Sequence, residues 1–221
     1  MNNELEPGFK LSDVDLIDRQ SCHRGFLQID KLTLKCRRYE GGWSRVFHRE
    51  LMLRHPGVGV LLYDPVADKV LLVEQFRAGC LDDSHNGPWA LELVAGILDS
   101  GESAAEVAIR EANEEAGIKI SHLLPVCDYY NSPGGSNEHL TIYCAGFDSG
   151  TSGGIFGLVD ENEDIRTVII SRTAALAAIV SGRINNAMSI IALQWLELNL
   201  QRVRSELQKR SPEANLEGSA K

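Results

Sequence analysis

Residues 96–118 read GILDSGESAAEVAIREANEEAGI, a stretch whose spacing dictates a loop running into a short amphipathic helix. Ala104, Val107, Ala108, Ala112 and Ala116 recur at i, i+3 and i+4, which gives one apolar stripe. Ser103 is suited to cap the start of this helix, and Gly117 stands where a helix ends in a left-handed residue. Trp89 to Ala95 reads as a strand that runs straight into the stretch.

On the helix, Glu111, Glu114 and Glu115 fall within one turn and share a face. Like charges at this spacing cost a few tenths of a kcal/mol per pair, so the face needs either solvent or a cation. An acidic, solvated helix face is the plain reading. The chemical one is a hard divalent ion: with no Cys or His cluster nearby, an all-oxygen set favours Mg²⁺, with Mn²⁺ as the substitute, and Mg²⁺ commonly takes substrate phosphates as further ligands. Arg110 is placed to reach Glu106 or Glu114 on its own helix, or Glu102 in the preceding loop.

Composition narrows the partners. The 221 residues carry 22 Lys and Arg against 31 Asp and Glu, a net charge of −9, which argues against nucleic acid and against an anionic membrane surface. A hydrophobic content of 43% supports a real core. No apolar run approaches a membrane span, and MNNELEPGFK lacks the basic and apolar regions of a signal peptide, so a cytoplasmic location is expected. Five scattered cysteines without CxxC spacing indicate reduced thiols.

In chain order, residues 1–52 form a first unit, with a loose start, a strand from Phe26 to Cys36, a turn at Tyr39 to Trp43 and a returning strand to Leu51. So small a sheet must lie on something else, either the rest of the chain or a second copy. His55-Pro56-Gly57 marks the boundary. A second unit, residues 53–210, begins with a hairpin of Val58 to Tyr63 and Lys69 to Phe76. After the amphipathic helix come strands at Leu123 to Tyr130 and His139 to Phe147, a glycine-rich loop from Ser149 to about Val159, and a strand at Ile165 to Ile170. Helices at Thr173 to Val180 and Asn186 to about Arg210 close it, the latter with Leu193, Leu196, Leu200, Val203 and Leu207 on one stripe for core or dimer packing. Residues 211–221 are a polar tail expected to fray. The mixed order predicts an α/β (α+β mixed) fold, an α/β/α sandwich around a mixed sheet, with a small N-terminal antiparallel β domain.

Two loops carry polar residues suited to a ligand. Ser132-Pro133-Gly134-Gly135-Ser136 is at least a turn. Asp160 to Asp164, DENED, follows the glycine-rich segment, so its carboxylates could swing onto a metal-bound water or phosphate.

The helix stretch resembles the Nudix box: Gly, five residues, Glu, seven residues, Arg-Glu, an aliphatic, any residue, Glu-Glu, any residue, Gly, an aliphatic. Gly96, Glu102, Arg110, Glu111, Ala112, Glu114, Glu115, Gly117 and Ile118 occupy those places, with Ala112 small for its own. Pro133, fifteen residues beyond Ile118, stands where the ADP-ribose pyrophosphatase subgroup of the family carries a proline, and RGF at Arg24, EQFR at Glu74, ELVAG at Glu92, SPGG at Ser132, ENEDI at Glu161 and INNA at Ile184 look like that subgroup too. The resemblance spans about residues 20–200. It implies the sandwich fold and metal ligation by the Ala95 carbonyl, Glu111, Glu115 and Glu163, with Glu114 as a further ligand and Glu161 as the base that activates water. It also implies substrate contacts from Phe26, Leu27, Arg49, Glu50, Arg77, Ile97, Ser132, Pro133, Gly134 and Glu138, several of them supplied by the partner subunit of a homodimer built through the N-terminal sheet.

The implied activity is Mg²⁺-dependent hydrolysis of ADP-ribose to AMP and ribose 5-phosphate. One alternative keeps the chemistry and changes the substrate to another nucleotide sugar, of GDP-mannose type, or a dinucleoside polyphosphate. A second is a Nudix-fold sensor that binds a nucleotide without cleaving it, against which the intact Glu111, Glu114 and Glu115 weigh.

Overall fold

The computed structural model describes residues 5–158, 160 and 162–209. They separate into two compact units: residues through His55 together with Tyr130–Glu138, and Pro56–Tyr129 with the described residues from His139 onward.

The first unit is a three-stranded antiparallel sheet of β1 (Val14–Arg24), β2 (Gln28–Cys36) and β3 (Phe47–Leu53), in that order. β1 departs from the expected loose start. Its sequence VDLIDRQSCHR is exposed along its whole length, so the strand is specified by its ladder with β2 rather than by a buried face. The buried Asp30 on β2 takes Arg19 at 2.5 Å and also Arg24, which fixes the β1–β2 register with charge. The loop at Pro133–Gly135 joins the far side of this sheet: Met52 N–H donates to the Gly135 carbonyl at 2.8 Å, and Asn137 N–H donates back to the Met52 carbonyl at 3.3 Å.

The second unit is a mixed sheet between two helical layers. Its strands are β4 (Gly57–Asp64), β5 (Lys69–Phe76), β6 (Trp89–Glu92), β7 (Val94–Ile97), β8 (Leu124–Tyr130), β9 (His139–Gly146), β10 (Ile155–Phe156) and β11 (Ile165–Ser171). The order is β10-β11-β5-β4-β9-β8, with β6 on β5 and β7 on β4; the β4–β9 pair is parallel, and the β10–β11, β11–β5, β5–β4, β5–β6 and β4–β7 pairs are antiparallel. Helix α1 (Ala104–Ala116) covers one face; α2 (Arg172–Val180) and α3 (Ala187–Gln208) cover the other. The apolar run of β4 follows from this, because Val58, Val60 and Leu62 meet Val107, Ala108 and Ala112, whereas Leu61 and Tyr63 meet the opposite layer. The α3 stripe is core: Leu193, Leu196, Val203 and Leu207 are buried in it. Fully burying one such leucine contributes roughly 1.5–3 kcal/mol.

Two expected elements differ. The strand expected from Trp89 to Ala95 is two strands, β6 paired with β5 and β7 with β4, because the chain changes neighbour at Leu93. The glycine-rich loop contains the short strand β10, paired with β11. Among the described residues, no helix is long and apolar enough to cross a membrane.

Candidate active site

Helix α1 is fixed at both ends. The Ser103 hydroxyl accepts from Glu106 N–H at 3.3 Å, and a Glu106 carboxylate oxygen accepts from Ser103 N–H at 2.7 Å, a reciprocal cap. Glu106 is therefore occupied, and Arg110, expected to reach Glu106, Glu114 or Glu102, takes Glu102 at 3.2 Å and Glu114 at 3.0 Å, with Glu111 at 2.8 Å in place of Glu106. Burial lowers the Arg110 pKa, and these three carboxylates outweigh it, leaving the guanidinium firmly charged. Gly117 ends the helix in the left-handed region at φ 66°.

The face that carries the acids is not uniformly solvated. Glu115 is only 2% exposed. Its carboxylate accepts from Ala95 N–H at 3.0 Å and from the Gln75 side chain at 3.4 Å, so the helix is tied to β7 and β5. Burial pushes its pKa up to about 8, against the Ala95 hydrogen bond and with help from the Glu111 and Glu163 charges. Glu111 is raised to about 7, again by burial first, with Arg110 opposing and Glu114 and Glu163 adding to it. Gly96 makes room for Glu111, whose carboxylate lies where a Cβ on that residue would stand.

Glu163 belongs to the same electrostatic neighbourhood. Its N–H donates to the Leu158 carbonyl at 3.2 Å, and its carboxylate accepts from Leu158 N–H at 3.2 Å. Glu161, the expected base, lies outside the described residues. Arg77 donates to Glu92 at 2.9 Å, and its positive charge reaches Glu115; Ile97 is partly exposed at the end of β7.

These acids fit a hard cation by donor chemistry. Glu111, Glu115, Glu163 and the Ala95 carbonyl offer oxygen alone, and Glu115 is a carboxylate that burial drives toward neutrality unless positive charge comes close. Among the described residues, no three His, Cys, Asp or Glu side chains are grouped as a ready cage. Glu111 is drawn to Arg110, Glu115 to Ala95 and Gln75, and Glu163 to Leu158, so their joint engagement requires these carboxylates to turn.

The remaining expected residues belong to the three-stranded unit. Phe26 is 88% exposed beside Leu27 in the β1–β2 turn. Arg49 lies 4.6 Å from the Phe47 ring centroid and donates to the His48 carbonyl at 2.8 Å; Glu50 stands opposite Lys31 in the ladder. Ser132, Pro133 and Gly134 form the exposed turn beside β3. Within this unit one residue that sequence reasoning missed, Arg54, joins two that it named. Its guanidinium sits 5.9 Å from the Phe26 ring centroid, and its Nε donates to Glu138 at 3.2 Å. Glu138 also accepts from the Asn131 side chain at 2.7 Å. Arg54 follows the end of β3 directly, and an arginine beside a unit boundary was the only signal the sequence offered.

A NUDIX domain model matches residues 53–184. The chain is 42% identical over 204 residues to the ADP-ribose pyrophosphatase of Escherichia coli strain K12, covering 92% of this chain and 97% of that protein. The ADP-ribose pyrophosphatase of Haemophilus influenzae is 38% identical over 193 residues, covering 86% and 89%. A GDP-mannose pyrophosphatase of Pectobacterium atrosepticum is 31% identical over 183 residues, covering 83% and 93%. A crystal structure of an ADP compounds hydrolase superposes with a TM-score of 0.66 at 19% identity, covering 89% of this chain and 99% of that one, a likeness of fold.

Proposed function

The chain belongs to the Nudix family, and on that premise we propose that it hydrolyses the pyrophosphate of ADP-ribose to AMP and ribose 5-phosphate, with Mg²⁺ or Mn²⁺, as a cytoplasmic homodimer. The observation that carries the chemistry is the buried Glu115 on a complete box, sharing one electrostatic field with Glu111 and Glu163. The choice of substrate leans on identity, which is 42% to an ADP-ribose pyrophosphatase against 31% to a GDP-mannose pyrophosphatase.

In this reading Glu111, Glu115, Glu163 and the Ala95 carbonyl would hold the divalent ion. When bound, the ion neutralises pyrophosphate charge and lowers the pKa of water. Arg110 keeps Glu111 and Glu114 from repelling each other and anchors them to Glu102 in the preceding loop. Ala95 N–H and Gln75 hold Glu115 in one orientation. Glu161 accepts the proton of the attacking water, whose oxygen joins one phosphorus while the bridging P–O bond breaks and the other phosphate leaves. Arg77, held by Glu92, sets a positive charge near the phosphates. Ile97 and the residues of the N-terminal unit, Phe26, Leu27, Arg49, Glu50, Ser132, Pro133, Gly134 and Glu138, bind substrate, with Arg54 orienting Phe26 and Glu138.

The N-terminal unit, residues 1–52 in sequence terms, serves dimerisation. The five free cysteines, Cys144 among them fully buried, accord with a reducing compartment.

The test is product analysis after incubating the purified protein and Mg²⁺ with ADP-ribose, GDP-mannose, diadenosine polyphosphates and nucleoside triphosphates. AMP and ribose 5-phosphate, with ADP-ribose preferred by kcat/KM, is the expected outcome. Preference for another substrate moves the specificity, and tight binding without turnover makes the protein a sensor. Glu161→Gln should remove most turnover and leave metal binding largely intact; an unchanged kcat would reject Glu161 as the base.

A further inference from the structure

We propose that Phe156 is a positioning residue that seats the segment bearing Glu163 on the end of the box helix; this rests on the metal-dependent function proposed above. Phe156 is half-buried, and among the described residues it belongs to neither apolar cluster of the core. Its ring packs instead on two glycine backbones. A Cβ on Gly117 would come 2.7 Å from Cε1 of the ring, and one on Gly154 would come 3.0 Å from Cε2. Gly117 thus serves twice, as the left-handed cap of α1 and as the bare surface on which the ring rests.

The next residue carries the contact to the acid. Gly157 adopts φ 104°, and a Cβ there would lie 2.8 Å from Cβ of Glu163 and 3.0 Å from its carbonyl oxygen. The two hydrogen bonds between Leu158 and Glu163 close the same turn. On the other side, Thr167 Oγ1 accepts from Gly154 N–H at 2.8 Å, and β10 pairs Phe156 with Ile165. Residues 154–158 are therefore braced against residues 163–167, with Phe156 as a side chain by which they grip α1. Beside that grip the loop does not pack down: a cavity of about 370 Å³ lies between Thr151, Ser152 and Gly153 and the Gly117–Lys119 end of the helix. The position of Glu163 relative to Glu111 and Glu115 on α1 depends on the ring.

The chemistry makes that dependence matter. A carboxylate brought to a shared cation on a separate segment is useful only within a fraction of an ångström of its place, and residues that orient ligands are commonly worth a large share of affinity. A phenylalanine at this point provides rigid area with few rotamers to fix.

The test is a double-substitution cycle in the full-length protein with Mn²⁺ as probe, read by calorimetric titration and accompanied by thermal melts. Phe156→Ala should weaken Mn²⁺ binding by about 10-fold, Phe156→Leu should keep most of the affinity, and Phe156→Ala/Glu163→Gln should bind no more weakly than Glu163→Gln. With ADP-ribose, Phe156→Ala should lower kcat by about 10-fold or more while KM moves by less than about 3-fold. A loss from Phe156→Ala that persists undiminished in the Glu163→Gln background, or wild-type Mn²⁺ affinity in a destabilised Phe156→Ala, overturns the proposal and leaves the ring a structural filler. Should Phe156→Ala fail to fold, the same cycle with Phe156→Leu decides, by whether its smaller loss vanishes when Glu163 is replaced. Wild-type protein that binds Mn²⁺ but does not cleave ADP-ribose would refute the substrate reading, while the Mn²⁺ cycle would still judge Phe156.

Discussion

A Cβ on Gly96 would lie 1.8 Å from Oε1 of Glu111 and 2.1 Å from its Cδ, so β7 and helix α1 share one space at the box carboxylate. The box glycine is a requirement of volume. Gly96→Ala must expel Glu111 from its place beside Arg110, and displacement by about an ångström at a reacting centre commonly costs about 10²-fold in rate. The expected result is a loss of that order in kcat with an unchanged far-UV circular dichroism spectrum. Turnover close to wild type would show that catalysis does not use Glu111 in its place beside Arg110 and Gly96.

The buried Glu115 gives a pH signature. Its carboxyl is pushed up to about 8 in the folded chain, and an unfolded glutamate titrates near about 4.3. Because the folded value is raised, the associated stability is fully present below the unfolded pKa and is lost as pH rises through the folded one. In chelator-treated protein, Tm should therefore fall between about pH 5 and about pH 8. Glu115→Gln, which never ionises, should flatten that fall. Added Mg²⁺ competes with the proton, so its Tm gain should grow over the same window in wild type and shrink in Glu115→Gln. A Mg²⁺ gain independent of pH would separate the cation from Glu115.

A second carboxylate works in the opposite sense. Asp68, in the β4–β5 turn at φ 54°, takes Arg172 at 3.0 and 3.1 Å, Arg204 at 2.8 Å and the Tyr63 hydroxyl at 2.8 Å. Burial raises its pKa, and Arg172, Tyr63 and Arg204 outweigh it and bring the carboxyl to about 2. A depressed folded pKa contributes stability above the unfolded value of about 3.9 and loses it as pH falls toward about 2. Asn tolerates the left-handed backbone, so Asp68→Asn isolates the charge. It should lower Tm at neutral pH and weaken the dependence on acid below about pH 4, read by melts across that range. An unaltered acid limb would assign acid unfolding to other groups.

What the sequence disclosed follows from how local each signal is. Helix α1 was legible from Ser103 to Gly117 because caps and period lie within the segment itself. β4 was legible because both of its faces are buried, which writes an unbroken apolar run. β1 was not, since its side chains face solvent and its ladder partner is a separate strand. The break between β6 and β7 at Leu93 was hidden for the same reason: it marks a change of neighbour, and nothing in Trp89 to Ile97 names the strands on either side. At the site, the box named its carboxylates by spacing. The link of Phe26 to Glu138 through Arg54, and the seat of Phe156 on Gly117, join residues far apart in the chain and leave no local pattern. The partner of Arg110 was legible only in part, because Glu106 is claimed by the Ser103 cap, a competition visible in geometry alone.

The N-terminal sheet offers the test of assembly. β1 is an edge strand, and Leu16 and Ile17 on it are 52% and 50% exposed. An edge with apolar side chains and open backbone groups invites a second copy, which would cover Leu16 and Ile17 and complete the ladder. If the dimer forms through this unit, light scattering should give wild type a mass of twice 24.3 kDa, and Leu16→Glu/Ile17→Glu should give a single 24.3 kDa species. Glutamate on both sites places like charges opposite one another across such an interface while leaving the second unit untouched. Turnover should fall with dissociation if, as the proposed function holds, Phe26, Arg49 and Glu50 of one subunit contact the substrate of the other. A charged variant that stays dimeric would move the interface elsewhere, and a monomer with full kcat/KM would confine the active site to one chain.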